Sequence, residues 1–207
     1  MGYFNNFRLF SVVAVATVFV GLAAPASAQQ PRHVRGTLTE VTAAQITVQT
    51  ASGKPEVVKL TDKSAVFIVA PTDFAAIAQN KFVGITSVEK DGKRIAKEVH
   101  VFNDSLRGLA EGHYPWDLET DANMMTNANI GKVETVGKDR VLKLDFKGGE
   151  QTITIPPDAI VVSFEKGAAA DMKIGAKVFV IATPAEGDAG SSAIAVVVGA
   201  NGMKPPM

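Results

Sequence analysis

Between Phe102 and Asn129 the chain gathers side chains that its flanks lack. The stretch "GLAEGHYPWDLETD" (Gly108–Asp121) holds one of three histidines, the only tryptophan, and the only tyrosine outside the first few residues. Within 26 positions lie His100, Asp104, Glu111, His113, Asp117, Asp121, Met124 and Met125. Imidazole with carboxylate suits a borderline divalent ion such as zinc, and imidazole with thioether suits copper. The metal candidates are therefore His100, Glu111, His113 and Asp117. Their spacing forms no H-x-x-x-H, no H-E-x-x-H and no calcium-loop ladder. A second chemistry is a ligand held on aromatic faces, with His113, Tyr114 and Trp116 as its wall and Arg107 as the nearby cation. A third reading has the same aromatics covering a joint between two packed units, since rings with one polar end suit a half-wet position.

Catalytic patterns are sparse. "GDAGSS" (Gly187–Ser192) has the look of a nucleophile loop but no His and Asp in a matching context, and reads as a hairpin loop. "EKGAAADMKIG" lacks the spacing and lysine of a phosphate loop. The pair Glu119/Asp121 could do acid–base work, but on an acidic loop reads as solvated charge. With no cysteine, disulfides, thiolate metal sites and thiol nucleophiles are excluded. The expectation is a non-enzyme.

The elements that must position these residues are short β-prone runs. "VRGTLTEV" (Val34–Val41), "QITVQT" (Gln45–Thr50) and "EVVKL" (Glu56–Leu60) precede a helix candidate at Asp73–Gln79, with Thr72 or Asp73 as its cap. "FVGITSVE" (Phe82–Glu89) and "RIAKEVHVF" (Arg94–Phe102) follow, joined through Asp91-Gly92, a two-residue turn signal. About 95 positions later the order recurs: Gly36–Val41 matches Gly131–Val136, "QITVQT" matches "VLKLDF" (Val141–Phe146), and "EVVKL" matches "QTITI" (Gln151–Ile155). "AAADMKIG" (Ala168–Gly175) takes the helix position, and "KVFVIA" (Lys177–Ala182) and Val196/Val198 complete the second unit. The expected class is all-β with short helices: two tandem OB-like five-stranded barrels, an internal duplication, joined by a long central segment. The expected boundaries are 29–102 and 129–200 for the barrels, 103–128 for the acidic and aromatic connector, and 201–207 for a flexible tail.

The first 28 residues read as an address. Arg8 is their only charge, Leu9–Ala24 is an apolar run, and Ala26-Ser27-Ala28 is an A-x-A cleavage signal. The expectation is a signal peptide, export to the periplasm, and a soluble chain from Gln29 with no later membrane span. Without Arg8 the rest carries 20 basic against 21 acidic residues, which offers no basic stripe for nucleic acid.

The run "HVFNDSLRGLAEGHYPWDL" followed by "MTNANIGKVE" resembles a group of exported bacterial proteins with this motif between two β-rich units. Those units are similar to OB-like barrels of the DUF5666 type. Members of the group often carry the label "metal ABC transporter permease", whose transmembrane helices have no counterpart here. The resemblance implies two barrels around the EGHYPWD segment and supplies no catalytic residues. The function expected is a non-catalytic periplasmic binding or adaptor protein, its partner a small ligand or an envelope protein. The alternative is a metal-handling protein using the central His, Asp and Met residues.

Overall fold

The computed structural model describes residue 1 and residues 30–118, 122–184 and 190–207. Residues 2–28 of the expected export signal, Glu119/Asp121 and the first half of the Gly187–Ser192 loop lie outside the described residues. Thirteen strands form in chain order: β1 (Arg32–Val41), β2 (Gln45–Thr50), β3 (Pro55–Lys59), β4 (Ala65–Pro71), β5 (Phe82–Lys90), β6 (Lys93–Phe102) and β7 (Gly112–Trp116). Then come β8 (Asn123–Val136), β9 (Asp139–Phe146), β10 (Gly149–Ile155), β11 (Ile160–Lys166), β12 (Lys177–Ala182) and β13 (Ser191–Gly199). The all-β class holds, and none of the described helices is long and apolar enough to cross a membrane.

The helix candidates shrink to single 3₁₀ turns at Phe74–Ala76 and Ala169–Asp171. The Asp73 side chain makes no capping bond, whereas Asp171 accepts from the Ala168 N–H at 2.7 Å. Asp91 and Gly92 both take positive φ, at 52° and 72°, as the tight turn between β5 and β6 requires.

Element order recurs at the expected spacing, for the 3₁₀ turns begin at Phe74 and Ala169. The strand pairing, however, divides the chain differently from units 29–102 and 129–200. One closed ring runs β13-β12-β1-β2-β3 and back to β13; the other runs β10-β9-β8-β5-β6 and back to β10. Each ring thus takes three strands from one half and its closing hairpin from the other. β5 lies against β8 (Ile85 opposite Thr126), and β12 lies against β1 (Val178 opposite Gly36). Between the rings, β4 and β11 pair antiparallel, with Phe164 opposite Val69, and tie the whole into one sheet path. The physical reason is local to the linkers. β4 runs parallel to β13 of the first ring and pairs on its other edge with β11, and that carries the following hairpin to the far ring.

Alternation assigns the faces. Val34, Leu38, Ile46, Val48, Val178, Val180, Val196 and Val198 fill the first ring. Val83, Ile85, Val99, Leu142, Leu144, Ile153 and Ile155 fill the second. A third cluster, with Phe67, Phe82, Phe102, Phe164 and Phe179, fills the seam between them. "KVFVIA" is apolar on consecutive positions because one face of β12 lines a ring and the other lines the seam.

The expected tail is packed rather than flexible. Met207 is 4% exposed in the seam cluster, and its main-chain oxygen accepts from Arg35 Nε at 2.9 Å. A long thioether side chain over an apolar seam is a stronger determinant there than the prolines before it. The expected connector 103–128 also changes extent, because its last six residues, from Asn123, are already part of β8.

Candidate functional site

Gly112–Trp116, in the middle of the aromatic segment, is a strand, and its side chains alternate. Gly112, Tyr114 and Trp116 face the seam, while His113 and Pro115 face away. β7 is held along β8, with Tyr114 opposite Met125 and Gly112 opposite Asn127. Trp116 reaches over to the other ring, where its ring centroid lies 4.6 Å from His33 and 5.8 Å from Phe179. Tyr114 stands edge-on to it at 6.2 Å. The aromatic segment therefore bridges the two rings, as expected of a covered joint.

Next to Trp116, Asp117 fastens the bridge. His33 Nδ1 donates to its carboxylate at 2.6 Å, and Arg35 donates through Nη2 at 2.8 Å and Nη1 at 3.3 Å. His33 and Arg35 share the outer face of β1 because Val34 between them points into the first ring. Partial burial pushes the Asp117 carboxyl up, but the bonds and charges of Arg35 and His33 outweigh that and hold it at about 2. Arg35 also lies over the face of Phe179, its guanidinium carbon 4.8 Å from the ring centre.

Under β7 is a cavity of about 200 Å³. Phe67, Phe102, Phe164, Phe179, Tyr114 and Trp116 give it an aromatic wall, and His100 and Asn127 add polar groups. His100 belongs here through alternation on β6: Val99 and Val101 enter the second ring, so Glu98, His100 and Phe102 face the seam. Both Glu98 and His100 are buried, at 1% and 3% exposure. Thr86 donates to one Glu98 oxygen at 2.5 Å, and the other lies 3.5 Å from His100 Nε2, too far for a good hydrogen bond. Burial raises the Tyr114 phenol above its ordinary value, so it stays neutral and able to donate.

The four metal candidates are not brought together. His100 faces Glu98 in the seam, and Asp117 is bound by His33 and Arg35. Glu111 accepts from the Lys147 N–H at 3.1 Å. His113 shares a 2.8 Å hydrogen bond with Thr126 and stacks on Phe146 at 6.2 Å. Burial, with a smaller contribution from the Arg94 charge, lowers the pKa of His113. Among the described residues no three His, Asp or Glu side chains converge as a metal site. The reason is the strand: a two-residue period sends His113 to the face opposite the seam.

Of the ligand candidates, Tyr114 and Trp116 line the cavity, and His113 does not. Arg107 is a staple for the connector, donating to Asn129 Oδ1 and to the Asn80 main-chain oxygen. Sequence reasoning passed over His33, Arg35, Glu98 and Asn127. A signal existed for the first two, as alternate positions flanking an apolar Val34, but their partner Asp117 is 82 positions from Arg35. Ser191, from the apparent nucleophile loop, is 3% exposed at the start of β13 and accepts from Arg32 at 3.1 Å. No protein-family model, curated protein or solved structure matches this chain.

Proposed function

We propose that this chain is a non-catalytic binding protein that takes a small, mostly apolar molecule in the cavity between its rings. The observation that carries the reading is the cavity itself: about 200 Å³, walled by six aromatic rings and aliphatic neighbours. An apolar cavity of roughly 150 Å³ is known to stay dry and to accept benzene. Pockets for drug-sized ligands run from roughly 300 to 1,000 Å³, so the occupant here is about one ring in size. That size argues against nucleotides and oligosaccharides as occupants. Export to the periplasm, proposed from Arg8, Leu9–Ala24 and Ala26–Ala28, would place the binding step outside the inner membrane.

Toluene is a suitable probe. Titration should perturb the fluorescence of Trp116, the single tryptophan, and raise the melting temperature through preferential binding to the folded state. Ala195→Leu, which adds bulk to the cavity wall, should lose both responses while keeping the β-type circular dichroism. A wild-type chain whose fluorescence and melting temperature ignore saturating toluene would refute the cavity reading.

A further inference from the structure

The polar part of the cavity wall specifies more than size. Asn127 is 6% exposed and extends from β8 over Gly84, its partner on β5. Its Nδ2 donates to the main-chain oxygens of Leu109 at 3.3 Å and Ala110 at 3.1 Å, and to the Tyr114 hydroxyl at 3.1 Å. Two carbonyl acceptors on that side identify the nitrogen end of the amide, so the other end is the oxygen. Asn127 Oδ1 is left buried with no hydrogen-bond partner. Gly84 makes room for it: a Cβ there would stand 2.6 Å from Oδ1 and 3.0 Å from the Phe102 ring. Also in the cavity wall, Trp116 Nε1 is a buried donor without a partner.

We infer that the seam cavity selects a small neutral hydroxyl compound of the phenol or short-alcohol class, its apolar body on the aromatic wall and its hydroxyl donating to Asn127 Oδ1. This rests on the cavity reading above. A buried acceptor without a partner favours a ligand that brings a donor, because leaving it unmet loses a hydrogen bond that water would otherwise supply. A pure hydrocarbon brings none, and a ketone or ether brings only acceptors. A carboxylate would enter beside the buried Glu98, and an ammonium would lose its hydration to an apolar wall. A hydroxyl donates at no charge cost, and it can also accept from a donor such as the indole.

The test is calorimetric titration of the full chain with p-cresol, toluene and 4-methylanisole, three probes that share one apolar ring. p-Cresol should bind about tenfold more tightly than toluene, the worth of one net hydrogen bond. 4-Methylanisole, which cannot donate, should do no better than toluene. In Gly84→Ala the new methyl takes the space of Oδ1, and the p-cresol preference should fall to about unity. Equal affinity for p-cresol and toluene, or 4-methylanisole matching p-cresol, overturns the hydroxyl assignment and leaves the cavity reading standing. A preference that persists in a folded Gly84→Ala chain overturns the role of Asn127. Failure of all three probes to bind overturns this inference and the cavity reading together.

Discussion

The two ring cores and the seam between them are packed with different side chains. Buried residues inside the rings are aliphatic: Val, Ile, Leu and Ala, with Met172 in the first ring. The seam holds five buried phenylalanines, and Trp116 packs against them. Barrel diameter grows with strand number, so a closed ring of five strands has a narrow interior, and branched aliphatic side chains occupy it here. The seam lies between the two rings and is filled from the outer faces of their strands. Large rings span it, and they still leave a cavity of about 200 Å³. The difference teaches that one chain packs its buried interior in two ways. Ring interiors supply dense packing, whereas the seam supplies shape and unpartnered polar atoms.

The largest test of that division into rings and seam cuts the chain. Because β5 and β6 close the ring of β8–β10, a fragment of residues 30–102 holds three strands of one ring and only the closing hairpin of the other. It should lack a cooperative melt by circular dichroism, and mixing with residues 103–207 should restore one. A cooperative β-type melt from 30–102 alone would break the exchanged-hairpin account.

Next in size is the seam itself. Phe179 is 1% exposed and touches His33, Trp116 and Arg35. Phe179→Ala should cost about 3–5 kcal/mol in chemical denaturation, as for other fully packed rings. A loss under about 1 kcal/mol would mean that the seam adds little to folding. Trp116 is only half-buried, and Trp116→Ala should cost less, about 1–2 kcal/mol. The same substitution should expose the 103–118 segment to limited proteolysis; unchanged cleavage would show that β7 does not depend on the bridge.

The smallest effect is electrostatic. Asp117 has its pKa lowered from 3.8 to about 2, so its bonds to Arg35 and His33 contribute fully above pH 3.8 and are lost as pH falls through 2. Its side chain is 57% exposed, and solvent screening keeps the contribution under about 1 kcal/mol. Asp117→Asn should therefore lower stability slightly at neutral pH and flatten the acid limb between about pH 4 and 2. An acid limb identical to wild type would remove Asp117 as the fastener of Trp116.

Much of this was legible in the residues. Asp91-Gly92 announced its turn, and the alternation of β1, β2, β9 and β10 announced strands with one buried face. The aromatic bridge was expected from the concentration of Tyr114, Pro115 and Trp116 in one segment. The site was harder to read because a period of two has two faces, and sequence does not say which face meets water. His113 was expected at the seam and lies on the far side. His100, a metal candidate in the sequence, is buried beside Glu98, because the outside of the second ring is the inside of the seam.

By itself, then, the sequence determined the local conformation: strands, tight turns and the apolar positions along each run, all set by propensity and alternation between near neighbours. Only the tertiary structure decided which strands close which ring. The two halves carry matching patterns, so the β5–β6 hairpin finds nearly the same apolar edge on β1 of its own half as on β8 of the other. Pairing is non-local, and such equivalent partners are distinguished by the path between them. Here β4 pairs with β11 across the seam, and the hairpin that follows has the second ring within reach. That choice also created the seam, its cavity and the unpartnered Asn127 Oδ1, none of which any single run of residues contains.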